Sequence, residues 1–125
     1  MGNFRNLLVW QKSHALSTDA FEVAQRIQGT MHSKLRDEIV RSAESVPTNI
    51  VEGCASRGPR EYARFVSYAI SSATEFEHHL LTGRARRVLT DADFGRLHEQ
   101  VVEVRKMLHG LLKALRRKAS DDGAA

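Results

Sequence analysis

Cysteine, proline and long apolar runs are scarce in this sequence, and each scarcity excludes something. Cys54 is the lone cysteine, so no internal disulfide can form and a disulfide-stapled scaffold is ruled out. Two prolines in 125 residues suit a few long elements rather than many short strands. The longest uncharged stretch near a helix centre, Phe65 to Thr74, is about half of the roughly 20 residues a membrane-spanning helix needs. The opening Met-Gly-Asn-Phe-Arg-Asn lacks the apolar core of a secretory signal. An N-myristoylation motif at Gly2 would want Ser or Thr where Asn6 stands. The expectation is a cytoplasmic protein with no membrane partner. Gly53, Gly58 and Gly83 are too dispersed to build a phosphate-cradling loop.

What is present is a globular composition with 3.6-residue periodicity. Hydrophobic residues make up 42% and charged residues 27%, and the length fits one domain. Asn6 is a good N-cap for a first helix running to about Gln28, with Val9, Ser13, Leu16, Ala20, Val23 and Ile27 on one stripe and Trp10 and Phe21 beside it. A second helix over Ser33 to Cys54 carries Leu35, Ile39, Ala43, Val46, Ile50 and Cys54. Pro47 falls inside it, yet the apolar phase does not reset, so the helix is expected to kink but continue. Pro59 should start a third helix reaching about Thr82, with Tyr62, Phe65, Ala69, Ser72, Phe76 and His79 as its seam. Thr90 and Asp93 resemble a capping box ahead of a fourth. Its seam is Phe94, Leu97, Val101, Val104, Leu108, Leu111 and Leu115, after which Arg116, Arg117 and Lys118 suit the negative end of the helix dipole. The fold predicted is all-α, an antiparallel up-down-up-down four-helix bundle over residues 1–119, with 120–125 a disordered tail.

Three stretches also resemble a known family. They are Phe4-Arg5-Asn6-Leu7-Leu8-Val9-Trp10-Gln11-Lys12, then Arg41-Ser42-Ala43-Glu44-Ser45-Val46-Pro47-Thr48-Asn49-Ile50-Val51-Glu52-Gly53, and Glu61-Tyr62-Ala63-Arg64-Phe65. The family is that of the bacterial four helix bundle proteins, or 23S rRNA intervening-sequence proteins. The resemblance covers roughly the first three helices and is carried most specifically by the helix-embedded proline followed by Asn-x-x-Glu-Gly. It implies a four-helix bundle, homopentameric assembly and no known enzymatic activity. A more distant kin group, the accessory proteins of diversity-generating retroelements, works with a reverse transcriptase and nucleic acid. Helix four and Arg84 to Arg87 match nothing distinctive in the family.

Catalytic and metal constellations are incomplete. Glu75 and His78 form a Glu-x-x-His pair, but a di-iron bundle needs a second such pair and two further Glu ligands. Gln11, Gly95 and Lys106 stand where His14, His98 and His109 would want Glu. No metal, cofactor or catalytic residue is therefore expected. Cys54 reads as a packing residue, and Trp10 as a core or oligomer-interface residue that could instead stack on a base. Ser42, Ser45, Asn49 and Glu52 line one edge of helix two. They are either a structural polar strip, satisfying the carbonyl that Pro47 leaves free, or a partner-binding strip. Val51, Tyr68 and Ile70 fall off the core stripes and suggest a protein interface.

The basic residues remain. The formal net charge is +4, and from Arg84 to Lys118 ten Lys or Arg face four Asp or Glu. Arg84, Arg86 and Arg87 are expected in the last loop, with Arg116, Arg117 and Lys118 returning to the same end to make one basic rim for RNA or DNA phosphates. Arg57, Arg60 and Arg64 form a secondary basic patch at the opposite end. The leading reading is a non-enzymatic homo-oligomer that binds nucleic acid without strong sequence preference. The alternatives are a protein–protein scaffold or accessory subunit, and, more remotely, a metal-dependent enzyme.

Overall fold

The structure, a computed structural model, describes residues 2–124. Within them lie four α-helices and no strand: α1 Leu8–Gln25, α2 Ser33–Cys54, α3 Pro59–Ala85 and α4 Asp91–Ala124. Contacts run α1–α2, α2–α3, α3–α4 and α4–α1, with no diagonal pair in contact, so the helices form a closed antiparallel ring around one core. No described helix is long and apolar enough to cross a membrane.

The α1 stripe is buried throughout, as is the α2 stripe from Leu35 to Cys54. α2 is unbroken across Pro47, because the residues on either side keep the apolar face in phase. In α3 the buried seam is Tyr62, Val66, Ala69, Ala73, Phe76, Leu80 and Gly83. Phe65, Ser72 and His79, expected in that seam, are half-buried and shifted toward α2, where the Ser72 hydroxyl meets that of Ser45 at 2.7 Å. In α4 the seam holds from Phe94 to Leu108, then passes to Leu112 and Leu115, leaving Leu111 half-buried.

The helix ends differ from expectation in four places. Asn6 does not cap α1. Phe4–Asn6 forms a short 3-10 turn capped by the Asn3 side chain, which accepts from the Arg5 amide at 3.0 Å, and Leu7 takes the N-cap position. α1 stops at Gln25, short of Gln28, and a second 3-10 turn over Thr30–His32 leads into α2. α3 runs one turn past Thr82, which makes Arg84 helical. α4 continues through residues 120–124, so no basic residue lies in its last turn, and Ala125 lies outside the described residues. Thr90 does cap α4, its hydroxyl accepting from the Asp93 amide at 3.0 Å, but the Asp93 carboxylate turns to Arg26 at 2.8 Å instead of closing the box.

Two glycines with helical backbones predict opposite responses to alanine. A Cβ on Gly53 would stand 2.6 Å from the Tyr62 ring, whereas one on Gly110 would meet nothing within 4 Å. Gly110→Ala is expected to stabilise by about 0.5–1 kcal/mol through helix propensity. Gly53→Ala should destabilise by about 1–2 kcal/mol net, since overpacking against a rigid ring outweighs that gain. Urea unfolding of both variants checks the two signs.

Candidate nucleic-acid interface

Each chain reversal moves the peptide from one end of the bundle to the other, so parity decides which cations meet. α2 and α4 run in the same sense, and α4 therefore ends beside the α2–α3 turn. A groove of about 490 Å³ there is lined by Arg60, Ala63, Arg64, Ser67, Arg116, Ala119 and Ser120. A neighbouring hollow of about 370 Å³ brings Arg57 and Arg60 against Ala119 and Asp122. Arg116, Arg117 and Lys118 thus share an end with Arg57, Arg60 and Arg64, not with Arg84, Arg86 and Arg87. The single rim expected from the sequence is split. At 1.5 Å per helical residue, Arg116 lies roughly 40 Å along α4 from the Arg84–Arg87 turn.

Pro59 sets α3 off from the extended Gly58, and Arg60 and Arg64 follow one helical turn apart. All six cations at this end are exposed. Among the described residues, Arg57, Arg60, Arg116, Arg117 and Lys118 make no ion pair, and Arg64 reaches Glu61 only at 3.9 Å. Four cations along the sides of the bundle are engaged instead, Lys12 with Glu103 at 2.5 Å, Arg26 with Asp93, Arg105 with Glu77 at 2.7 Å, and Arg41 with both Glu38 and Glu75, while others such as Lys106 and Lys113 make no ion pair among the described residues. Arg64 also lies over the Phe65 ring at 5.6 Å from its centroid, and Phe65 meets Tyr68 edge-on at 5.9 Å.

At the other end Arg84 covers the ring of Phe94 at 4.7 Å. Arg87 has φ 58°, a left-handed conformation usually left to glycine, while the Val88 amide donates back to the Gly83 carbonyl at 2.8 Å. This wrap closes the C-terminus of α3 in the manner of a Schellman motif.

The remaining candidates fall elsewhere. In the polar strip, the Ser42 hydroxyl donates to the Glu38 carbonyl at 2.6 Å, and Asn49 donates to the carbonyl and hydroxyl of Ser45. These bonds do not go to Ala43, whose carbonyl Pro47 leaves free, and Glu52 is exposed. Trp10 is half-buried, stacked on His14 at 4.8 Å and touched edge-on by Phe4. Cys54 is buried with its thiol 3.3 Å from the Tyr62 hydroxyl. Burial, together with that bond, pushes the Tyr62 phenol well above its ordinary value.

His78 does not join Glu75. The histidine that does is His79, one turn on, whose Nε2 stands 3.3 Å from Glu75 and 3.4 Å from Glu38. Glu38, Glu75 and His79 could offer three ligand atoms to a metal ion. The Arg41 guanidinium already bridges both carboxylates, and its hydrogen bond holds Glu38 below the usual carboxylate range. A second cluster joins α3 to α4: Arg105 and His98 both bond Glu77, with the Arg105 bond the main cause of its lowered pKa. The i,i+4 spacing of Glu75 and His79 was visible in the sequence; the arrival of Glu38 and Arg41 from α2 was not.

The family model described as 23S rRNA-intervening sequence protein matches residues 5–110. A solved structure described as a protein of unknown function from the S23 ribosomal protein family, from Bacteroides thetaiotaomicron, superposes with a TM-score of 0.73. It is 20% identical, and the alignment covers 85% of this chain and 99% of that one. At that identity the likeness shows the fold alone. Among curated proteins none matches the sequence.

The left-handed Arg87 gives a direct test. A non-glycine residue there costs about 1–2 kcal/mol, partly offset by the greater unfolded-state freedom of glycine. Arg87→Gly is expected to raise stability by about 1 kcal/mol, roughly 3–5 °C in Tm. A fall in Tm on thermal unfolding would mean that the Arg87 side chain makes contacts that outweigh the strain.

Proposed function

The chain belongs to the 23S rRNA-intervening sequence protein family, and from that premise we propose that it is a non-enzymatic, homo-oligomeric bundle that binds RNA or DNA through phosphate contacts at one basic end. The observation that carries this reading is the convergence of Arg57, Arg60 and Arg64 with Arg116, Arg117 and Lys118 around an open groove. Guanidinium groups without carboxylate partners are free to take phosphate oxygens, which they match bidentately. No base-reading motif accompanies them, so affinity comes from the backbone and tolerates sequence changes. The family is named for a sequence that interrupts 23S rRNA, which supports a nucleic-acid partner. A non-enzymatic role is supported by the chemistry present: Cys54 is buried against Tyr62, and the cluster of Glu38, Glu75 and His79, which has metal-ligand character, is bridged by Arg41.

Self-association is supported by a different surface. A groove of about 490 Å³ between α1 and α2 is lined by Trp10, His14, Phe21, Pro47 and Val51. It meets a second hollow of about 350 Å³ at Phe21 and Glu44. Phe21 is 46% exposed there, an apolar side chain of the kind that subunit contacts cover. Five protomers is the number the family resemblance implies. The same groove would serve the competing reading, a protein scaffold or accessory subunit whose basic end only keeps it soluble.

Two measurements separate these readings. Replacing Arg57, Arg60, Arg64, Arg116, Arg117 and Lys118 with Gln should weaken binding to a generic structured RNA and to duplex DNA. It should also flatten the salt dependence, each lost phosphate contact removing about 0.9 from the log–log slope on duplex. Replacing Arg84, Arg86 and Arg87 should leave the slope nearly unchanged. Equal affinity of the first variant and wild type would favour the scaffold. Light scattering at micromolar concentration should give a multiple of the 14.0 kDa chain mass. Phe21→Glu should lower that mass, and a wild-type monomer would overturn the assembly.

A further inference from the structure

We infer that the basic end takes an unpaired stretch of RNA or DNA, with one base stacked on Tyr68 while the phosphates lie along Arg60, Arg64 and Arg116; this rests on the nucleic-acid reading above. Arg60, Arg64 and Tyr68 stand at i, i+4 and i+8, a single ridge on the outward face of α3 that rises about 6 Å per step. Arg116 of α4 faces the same ridge across the groove. Tyr68 is 50% exposed, and its orientation is braced: Phe65 lies edge-on to it, with an interplanar angle of 89°, and Phe65 is itself covered by the Arg64 guanidinium. Scattered surface aromatics are ordinary in a folded protein. Tyr68 does not line the groove itself, but a fixed aromatic one turn beyond Arg64, which does, has the composition of a stacking platform for single strands.

Duplexes offer phosphates to such a surface but no base faces, because their bases are stacked on each other. The chemistry of Tyr68 therefore discriminates between the two forms. Glu61, the nearest carboxylate to Arg64, faces it at 3.9 Å, long enough for a phosphate to compete.

The test is fluorescence anisotropy with a short labelled single strand of oligouridine and a duplex of matched phosphate number, on wild type, Tyr68→Ala and Tyr68→Phe. Light scattering follows each variant. Tyr68→Ala is expected to weaken single-strand binding roughly ten-fold or more, leave duplex binding within about two-fold, and leave the assembly mass unchanged. Tyr68→Phe should bind both as wild type does, since the ring face is kept. No loss on the single strand, an equal loss on both probes, or a changed mass in Tyr68→Ala would overturn the stacking role; the last outcome would make Tyr68 a subunit contact. Wild type that binds neither probe, or only an acidic protein, would overturn the nucleic-acid reading itself.

Discussion

The close packing of α2 on α3 is the constraint from which the rest of the arrangement follows. Gly53 lacks a side chain where the ring of Tyr62 lies, and the Cys54 thiol meets the Tyr62 hydroxyl just beyond it. These contacts fasten the last turn of α2 to the first turn of α3 across only four intervening residues. Ala43, Ser42, Ala69 and Ala73, all buried and small, continue the approach along the pair. With that hairpin fixed, Arg57 is held on the turn, Arg60 and Arg64 face outward on α3, and α4 completes the ring with its C-terminal part beside them.

The apolar periodicity was legible because burial follows geometry closely. Its two departures have a geometric cause. In α4 the strict three-four alternation predicts Leu111, whereas an unsupercoiled helix drifts by about 20° per heptad, which brings Leu112 inward by about the sixth turn. In α3 the aromatic Phe65 drew the expected seam toward the α2 side, where polar partners await: Ser72 finds Ser45, and His79 finds Glu38. Tyr62, Ala69 and Phe76 of that seam are buried as expected, whereas Phe65, Ser72 and His79 form its flank. Helix ends were less legible, since Asn3 caps a 3-10 turn that takes in Asn6 and leaves the N-cap of α1 to Leu7.

The candidate site was legible as composition, and its placement, which the expected up-down-up-down order already fixes, was misread. Each basic cluster could be found by counting, and the patch of Arg57, Arg60 and Arg64 was read as one group. Which clusters meet depends on the parity of chain reversals, and α4, the second descending helix, ends at the α2–α3 turn. Nor could the sequence say which cations already had partners. Arg41 and Arg105 lie on helix flanks with carboxylates opposite, and the structure uses them to join α2 to α3 and α3 to α4. Tyr68 was noticed as an off-core residue, but its brace from Phe65 and Arg64 emerges only when all three are seen in space.

Helix electrostatics sharpen the significance of the unpaired cations. A cation is favoured in the last turn of a helix and disfavoured in the first, by about 0.3–1 kcal/mol at exposed sites, and the effect fades beyond that turn. Arg116, Arg117 and Lys118 would gain this benefit if α4 ended beside them. It runs on to Ala124, however, and its final stretch carries Asp121 and Asp122. Arg57 and Arg60 stand at the N-terminus of α3, where the dipole opposes them, with Glu61 as the only acidic residue of that turn. Six cations gathered against Glu61, Asp121 and Asp122 also repel one another. The helix dipoles do not stabilise this cluster, and its one ion pair is the long Arg64–Glu61 contact, whereas Lys12, Arg26, Arg41 and Arg105 on the flanks are held by carboxylates. The anionic partner proposed above would supply a favourable term here, because each phosphate would relieve the repulsion between neighbouring guanidinium groups as it bound.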